Sequence, residues 1–387
     1  MSKLVICWLV SLISLILPVQ AITLGAAQPD KYLPLLASKR VALVVNQTSM
    51  VGDEHLVDYL LSKDVNVVSV MAPEHGFRGD AGAGETIKDG IDEKTGLPIL
   101  SLYGKTKKPT VAMLEGVDTL VFDIQDVGAR FYTYISTLHY VMEAAAEQGK
   151  QVVILDRPNP NGAFVDGPVR EEAFASFVGM DPIPLLHGMT IGELAKMIKG
   201  EGWINNAASL VLSIIPMAGY ERTMAYSLPV APSPNLPNDK AIQLYPSLCL
   251  FEGTVVSVGR GTPFPFQVVG HNEVALGTFS FTPVSMPQSA PSPKLQDQRL
   301  LGKDLRNSEV KGFDLGLLIA VHEQFEAEDK SLINRPDFFD KLSGTDTLRK
   351  AIVAGKSEAE IRAQWKPALT TFIKQRKPYL LYPDTAH

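Results

Sequence analysis

Within Ala72-Pro-Glu-His-Gly-Phe-Arg-Gly-Asp80 a carboxylate, an imidazole and a guanidinium stand close together, directly after the apolar run Val65 to Met71. Glu74 and His75 can give and take protons, and Arg78 can grip an anion. Other carboxylates, Glu85, Asp123, Asp126 and Glu252, accompany the guanidinium groups of Arg130, Arg157 and Arg260. Asn46, Gln125, Asn235, Tyr134 and His271 add neutral donors and acceptors of the kind that bind sugar hydroxyls. Glycoside hydrolysis uses one carboxylic acid to protonate the departing oxygen, with a second carboxylate or the substrate's own acetamido group on the other face. Glu74 follows an apolar run and Pro73, where partial removal from water raises a carboxyl pKa as a general acid requires.

The elements that must hold these groups are strand ends. Arg40 to Val45 runs into Asn46-Gln-Thr-Ser, Thr119 to Phe122 into Asp123-Ile-Gln-Asp126, and Gln151 to Leu155 into Asp156-Arg-Pro-Asn-Pro-Asn161. With Val65 to Met71 these make four short, continuously apolar segments, the pattern of strands buried on both faces of a parallel sheet. Helical spacing fills the gaps at Glu54 to Ser62, Phe131 to Gln148 and Thr190 to Lys199, the last opened by Thr190 with Glu193 three residues on. The expected fold is α/β: a Rossmann-like, mostly parallel sheet with helices on both faces, carrying ligands at the carboxyl ends of its strands. For Asp123 and Asp126 loop capping or pairing with Arg130 stands beside the catalytic reading, Glu252 also suits a turn, and Glu85 suits a partner for Arg78. Phe131, Tyr132 and Tyr134 are equally suited to the core.

The chain has 387 residues, 45% hydrophobic and 20% charged, enough for a large core in two domains. A net charge of -6 gives no basic footprint for nucleic acid. Lys3 precedes an apolar run from Leu4 to Leu17 and a Val-Gln-Ala21 cleavage pattern, which reads as a signal peptide over residues 1–21 and places the mature chain in the periplasm or outside the cell, without a membrane anchor. Cleavage removes Cys7 and leaves Cys249 as the one thiol, so stability rests on the core and not on a disulfide. The Pro- and Asn-rich stretch Ala231 to Asp239 marks a crossing between a catalytic domain, 22–230, and a smaller α+β domain, 231–387, that closes the cleft. In the second domain Val255 to Val258 is apolar, Phe281 to Lys294 reads as an extended loop, and Phe313 to Phe325 and Lys350 to Lys374 carry helical spacing.

There is no Gly-x-Ser-x-Gly elbow, no Gly-x-x-x-x-Gly-Lys phosphate loop and no His-Glu-x-x-His pair. Gly79 to Glu85 is glycine-rich without dinucleotide spacing. Of seven histidines, His75, His187 and His271 fall in loops of interest, but no pair has ligand spacing on one element, so neither a metal nor a cofactor is expected.

Asn46-Gln-Thr-Ser, Pro-Glu-His-Gly-Phe-Arg-Gly, Asp123 to Tyr134, Leu155 to Gly162, His187-Gly-Met-Thr, Pro232-Ser-Pro-Asn-Leu-Pro and Phe251-Glu-Gly-Thr occur in order. Together they resemble the exo-β-N-acetylmuramidase family, from about Ala42 to the carboxyl end. The resemblance implies an exported enzyme that removes N-acetylmuramic acid from the non-reducing end of peptidoglycan fragments, at a cleft between a Rossmann-like lobe and a smaller one. Gly82-Ala83 departs from the acidic residue expected there. Glu74 is then the expected general acid, tuned by His75, with Asp123, Asp126 or Glu252 as second carboxylate or polarising group. Arg130 and Arg260 are candidates for the lactyl carboxylate. A non-catalytic receptor for muropeptides, closing two lobes on its ligand, is the rival from another class; an amidase or esterase would need a nucleophile or metal that the sequence does not offer.

Overall fold

The computed structural model describes residues 22–77 and 89–384. The amino-terminal run 1–21 expected to be a signal peptide, with Cys7, and Arg78, Gly82-Ala83 and Glu85, lie outside the described residues. Among the described residues no helix is long and apolar enough to cross a membrane.

A seven-stranded sheet organises the larger lobe. In chain order its strands are β1 (Val41–Val45), β2 (Val67–Ala72), β3 (Gly90–Ile91), β4 (Pro98–Ser101), β5 (Thr119–Asp123), β6 (Gln151–Leu155) and, after a hairpin of β7 (Asp166–Val169) and β8 (Pro184–Leu186), β9 (Val211–Ile215). Their spatial order is β9-β6-β5-β1-β2-β4-β3, and every pairing is parallel except that of β3 with β4. The chain runs outward from β1 to β4, then returns to β5 on the other flank of β1. That reversal is a topological switch point, where the carboxyl ends of β1 and β5 leave a crevice.

Period-two alternation explains why the strands are apolar throughout. Val41, Leu43 and Val45, with Val121, Val153 and Leu155, point to the face covered by α1 (Pro29–Leu36) and α2 (Leu56–Ser62). Ala42, Val44, Leu120, Phe122, Val152 and Ile154 point to the face covered by α3 (Tyr134–Glu147) and α4 (Ile191–Gly200). Each fully buried side chain of this size contributes about 1.5–3 kcal/mol, so neither face can be left wet. Helix α4 starts with the expected capping box, Thr190 and Glu193 each bonding the other's backbone N–H. Helix α3 begins three residues later than the spacing suggested, because Phe131 to Thr133 is used to line a cleft.

The smaller lobe carries α5 (Asp239–Leu248), an antiparallel sheet of β10 (Val268–His271), β11 (Phe279–Phe281) and β12 (Leu300–Asp304), and helices α6 (Leu315–Glu326), α7 (Pro336–Ser343), α8 (Thr347–Val353) and α9 (Glu358–Arg376). The single helical stretch expected over 350–374 is two helices, and Val255 to Val258 forms one isolated bridge, Ser257 to Gly270, and no strand. One continuous apolar cluster joins α3 and α4 to Phe251, Leu318, Phe339 and Phe372 of this lobe. Gln47 donates to the carbonyls of Ala231 and Pro232, 3.1 Å each, and so fastens the crossing segment to the end of β1.

Candidate active site

Beyond β2, Pro73 to Gly76 form a turn closed by the Gly76 N–H to Pro73 carbonyl bond of 3.1 Å. His75 takes a left-handed backbone, φ 71°, which costs an L-residue roughly 1–2 kcal/mol. The turn aims Glu74 and His75 into an open cleft bounded also by Phe131 to Tyr134, Ser233, Asn235, Leu236, Tyr245, Arg260 and Phe266. Glu74 is half-buried. Its Oε1 accepts from the Tyr103 hydroxyl at 2.9 Å and its Oε2 from the Thr133 hydroxyl at 2.7 Å.

Edge-to-face rings make the floor. Phe131 meets Tyr245 at 5.2 Å, Tyr132 meets Tyr134 at 4.9 Å, and Tyr245 meets Phe266 at 5.0 Å between centroids. This chain of rings crosses from the first lobe to the second, so Phe131, Tyr132 and Tyr134 are both core and cleft wall. The Tyr134 hydroxyl donates to the carbonyls of Glu74 and Pro232, 3.3 Å each, tying the Glu74 turn to the crossing segment. Burial pushes the Tyr134 hydroxyl well above its ordinary pKa, so it stays a donor.

At the far end Arg260 lies over the Phe266 ring, 4.9 Å from its centroid, and donates Nε to Glu252 Oε1 at 2.7 Å. Burial works against the Arg260 charge, and the carboxylate of Glu252 more than offsets it, so the guanidinium pKa is raised. Arg260 lines the cleft, and its terminal nitrogens have no hydrogen-bond partner among the described residues. Asn235 donates Nδ2 to the Ser289 carbonyl at 2.7 Å, while its buried Oδ1 has no partner there.

Several sequence candidates do other work. Asp123 is fully buried and grips Arg157 through both oxygens, at 2.5 and 2.8 Å. Asn46 accepts from the backbone and side chain of Thr48 at 2.9 and 2.6 Å, and Gln125 donates to the carbonyls of Asp126 and Pro158. These groups fill the crevice between β1 and β5 and stitch its loops together. Gly128, φ 81°, lets the β5 loop approach the β6 loop, since a Cβ there would lie 2.1 Å from Asn159 Oδ1. Asp126 lies beneath the floor, takes the Gly128 N–H at 2.7 Å and stands 3.7 Å from His187 Nε2. Desolvation raises its pKa to about 7 and lowers that of His187 to about 3.

Arg130 does not reach the cleft with its charge. Its guanidinium is buried and donates to the carbonyls of Pro168 and Ile183 in the β7–β8 hairpin and of Leu342 in α7, at 2.7 to 3.0 Å. Burial lowers its pKa to about 9. Three backbone acceptors have taken the donors that a lactyl carboxylate would need. His271 also misses the cleft: its Nδ1 accepts the N–H groups of Glu273 and Val274, and its ring packs on Phe325. His75, His187 and His271 thus occupy three separate places.

Tyr103 and Thr133 were not singled out from the sequence. Tyr103 follows β4, a four-residue strand opening on proline, and Thr133 sits in an apparent helix start.

Two family models match consecutively, described as exo-beta-N-acetylmuramidase NamZ, N-terminal, over residues 41–240, and the C-terminal part of the same, over residues 243–382. The chain is 40% identical over 376 residues to the peptidoglycan beta-N-acetylmuramidase NamZ of Bacillus subtilis (strain 168), covering 92% of this chain and 89% of that protein. It is also similar to two crystal structures of DUF1343 family proteins from Bacteroides fragilis NCTC 9343. One has a TM-score of 0.84 at 46% identity and the other 0.80 at 30%, each covering 94% of this chain and 99% of its own.

Proposed function

The chain belongs to the exo-β-N-acetylmuramidase family, and from that membership we infer that it is a glycoside hydrolase releasing N-acetylmuramic acid from the non-reducing end of peptidoglycan fragments at the β-1,4 bond to N-acetylglucosamine. Glu74 is the general acid in this reading. The observation that carries the assignment is its position: among the described residues it is the one carboxylate lining the cleft. Tyr103 and Thr133 each donate to one oxygen, which orients the carboxyl group.

Glu74 gives that proton to the glycosidic oxygen as the bond to the anomeric carbon breaks. The acetamido oxygen of the muramic acid closes on the anomeric carbon from the other face, forming an oxazolinium ring. The Glu74 carboxylate then takes a proton from water as the water oxygen attacks that carbon and reopens the ring. His75 orients Glu74 through the shared turn. Asn235 Oδ1 accepts the acetamido N–H, and the terminal nitrogens of Arg260 bind the lactyl carboxylate bidentately. Asp123, Asp126 and Glu252 act at one remove: Asp123 through Arg157, Asp126 under the floor, Glu252 by holding Arg260.

We place the domain boundary at residues 230 and 231, and the mature protein in the periplasm or outside the cell, as the amino-terminal run reads; fractionation of tagged full-length protein checks the location. The test of function is mass spectrometry after incubation with the MurNAc-GlcNAc disaccharide. Wild-type protein releases free MurNAc, and Glu74→Gln loses about 10²–10⁴ in rate while still binding the disaccharide. Binding without release by both proteins would favour the receptor.

A further inference from the structure

Three aromatic rings, one of them bonded to Glu74 through its hydroxyl, belong to no apolar cluster among the described residues. Tyr103, Tyr140 and Phe177 are half-buried, and none of them packs into the cores that absorb the neighbouring apolar side chains. They pack on one another instead. Phe177 lies 6.2 Å from Tyr140 with nearly parallel planes and 6.3 Å from Tyr103, and Lys107 Nζ is 4.6 Å from the Phe177 centroid.

The patch is built, and is not a loose surface. Ser176 and Gly179 exchange both backbone hydrogen bonds, 3.1 and 2.9 Å, in a tight turn with Phe177 and Val178 at its corners. Val178 packs inward on the main core while Phe177 points to the patch. The turn rests on the fixed side chain of Arg130, since a Cβ on Gly179 would lie 3.3 Å from Arg130 Nε. Holding a large apolar ring half in water gains nothing for the core.

Its place relative to the cleft gives it a use. One Glu74 oxygen is held by Thr133, a wall of the cleft, and the other by Tyr103, a member of the patch. An exo-acting enzyme takes the terminal sugar into the cleft, so the leaving sugar must project out of it past the general acid. The patch does not line the cleft. Through the Tyr103–Glu74 bond it adjoins the general acid from outside the cleft.

We propose that Tyr103, Tyr140 and Phe177 form the binding platform for the leaving N-acetylglucosamine, whose apolar C–H face packs on the rings, with Lys107 supplying positive charge toward an acidic continuation of the glycan. This rests on the hydrolase reading above. The test compares Phe177→Ala and Phe177→Trp with wild-type protein on two substrates, MurNAc-GlcNAc and N-acetyl-β-muramyl fluoride, which share the terminal sugar while the second has no leaving sugar. Phe177→Ala raises KM for the disaccharide about tenfold and weakens inhibition by free N-acetylglucosamine to match, the scale of one aromatic contact. Its kcat/KM for the fluoride stays at the wild-type value, and Phe177→Trp restores the disaccharide. Equal losses on both substrates, or none on either, would overturn the platform while leaving the hydrolase reading intact. Wild-type protein that cleaves neither substrate would remove that reading and the platform with it.

Discussion

Glu74 and Tyr103 each stand two residues beyond a registered pair, Ala72 of β2 and Ser101 of β4, and the hydrogen bond between their side chains, 2.9 Å, continues the register of the sheet into the active site. Parallel neighbours exit the sheet side by side, so equal offsets from a paired position bring side chains together. The position of Glu74 is therefore set by strand register and not by loop conformation alone.

Tyr103→Phe keeps the ring and removes the donor. Glu74 keeps its Thr133 bond but loses the contact that fixes its second oxygen. The expected outcome is a fall in kcat of about tenfold on the disaccharide, the worth of one hydrogen bond, with KM little changed. A rise in KM with kcat intact would assign the hydroxyl to ground-state binding of substrate.

Arg130 and Arg260 separate by the same kind of test. Arg260→Ala removes the guanidinium at the cleft wall, and discrimination for muramic acid over glucosamine at the terminal position falls by roughly 10–100-fold, as for a lost charged hydrogen bond. Arg130→Ala leaves the carbonyls of Pro168, Ile183 and Leu342 without their buried donor. Each orphaned acceptor costs about 1–3 kcal/mol, so the loss is seen in urea unfolding, and the discrimination between the two sugars is unchanged in protein that remains folded.

Asp126 gives a pH signature. Burial raises its folded pKa to about 7 from the ordinary 3.8. The folded protein keeps a proton that the unfolded chain releases above about pH 4, so this stabilisation is full below that pH and is lost as pH rises to about 7. His187, lowered to about 3 from 6.5, acts oppositely, losing stability as pH falls through that interval. Comparing Asp126→Asn with wild type at each pH removes the His187 contribution. The difference in unfolding free energy should move in favour of the variant between pH 4 and pH 7.5, by an amount on the order of 4 kcal/mol. A flat difference would show Asp126 ionised in the folded state.

The sheet was legible because its strands are buried on both faces and leave uninterrupted apolar runs. Strand β4 escaped notice because it is four residues long, opens with Pro98 and lies toward the sheet edge; Tyr103 went with it. Polar residue types at strand ends were visible, but their use was not. Asp123, Asn46 and Gln125 satisfy one another's loops, and among the described residues only the β2 exit, where Pro73 and a left-handed His75 turn the chain, delivers a carboxylate to the cleft. Arg130 and Arg260 look alike in sequence, and what separates them is that one is enclosed by carbonyls while the other is stacked on a ring at the cleft wall. Partners so distant along the chain, Leu342 for Arg130, leave no local signal.

The role given to the substrate acetamido group fixes the stereochemistry. Attack by the acetamido oxygen and then by water inverts the anomeric carbon twice, so the first MurNAc released carries the β configuration. Proton NMR of the anomeric signal in the first minutes of hydrolysis reads this directly, before mutarotation mixes the anomers. Electron withdrawal at the acetamido group should slow the reaction, because the attacking oxygen becomes a weaker nucleophile; kcat falls from acetyl to monofluoroacetyl to trifluoroacetyl substrates. Asn235→Ala removes the acceptor for the acetamido N–H and lowers kcat by about tenfold on the parent substrate. Release of the α anomer would instead require a water activated by an enzyme carboxylate on the far face. Retention with no response to fluorination would call for a covalent intermediate on a carboxylate other than Glu74.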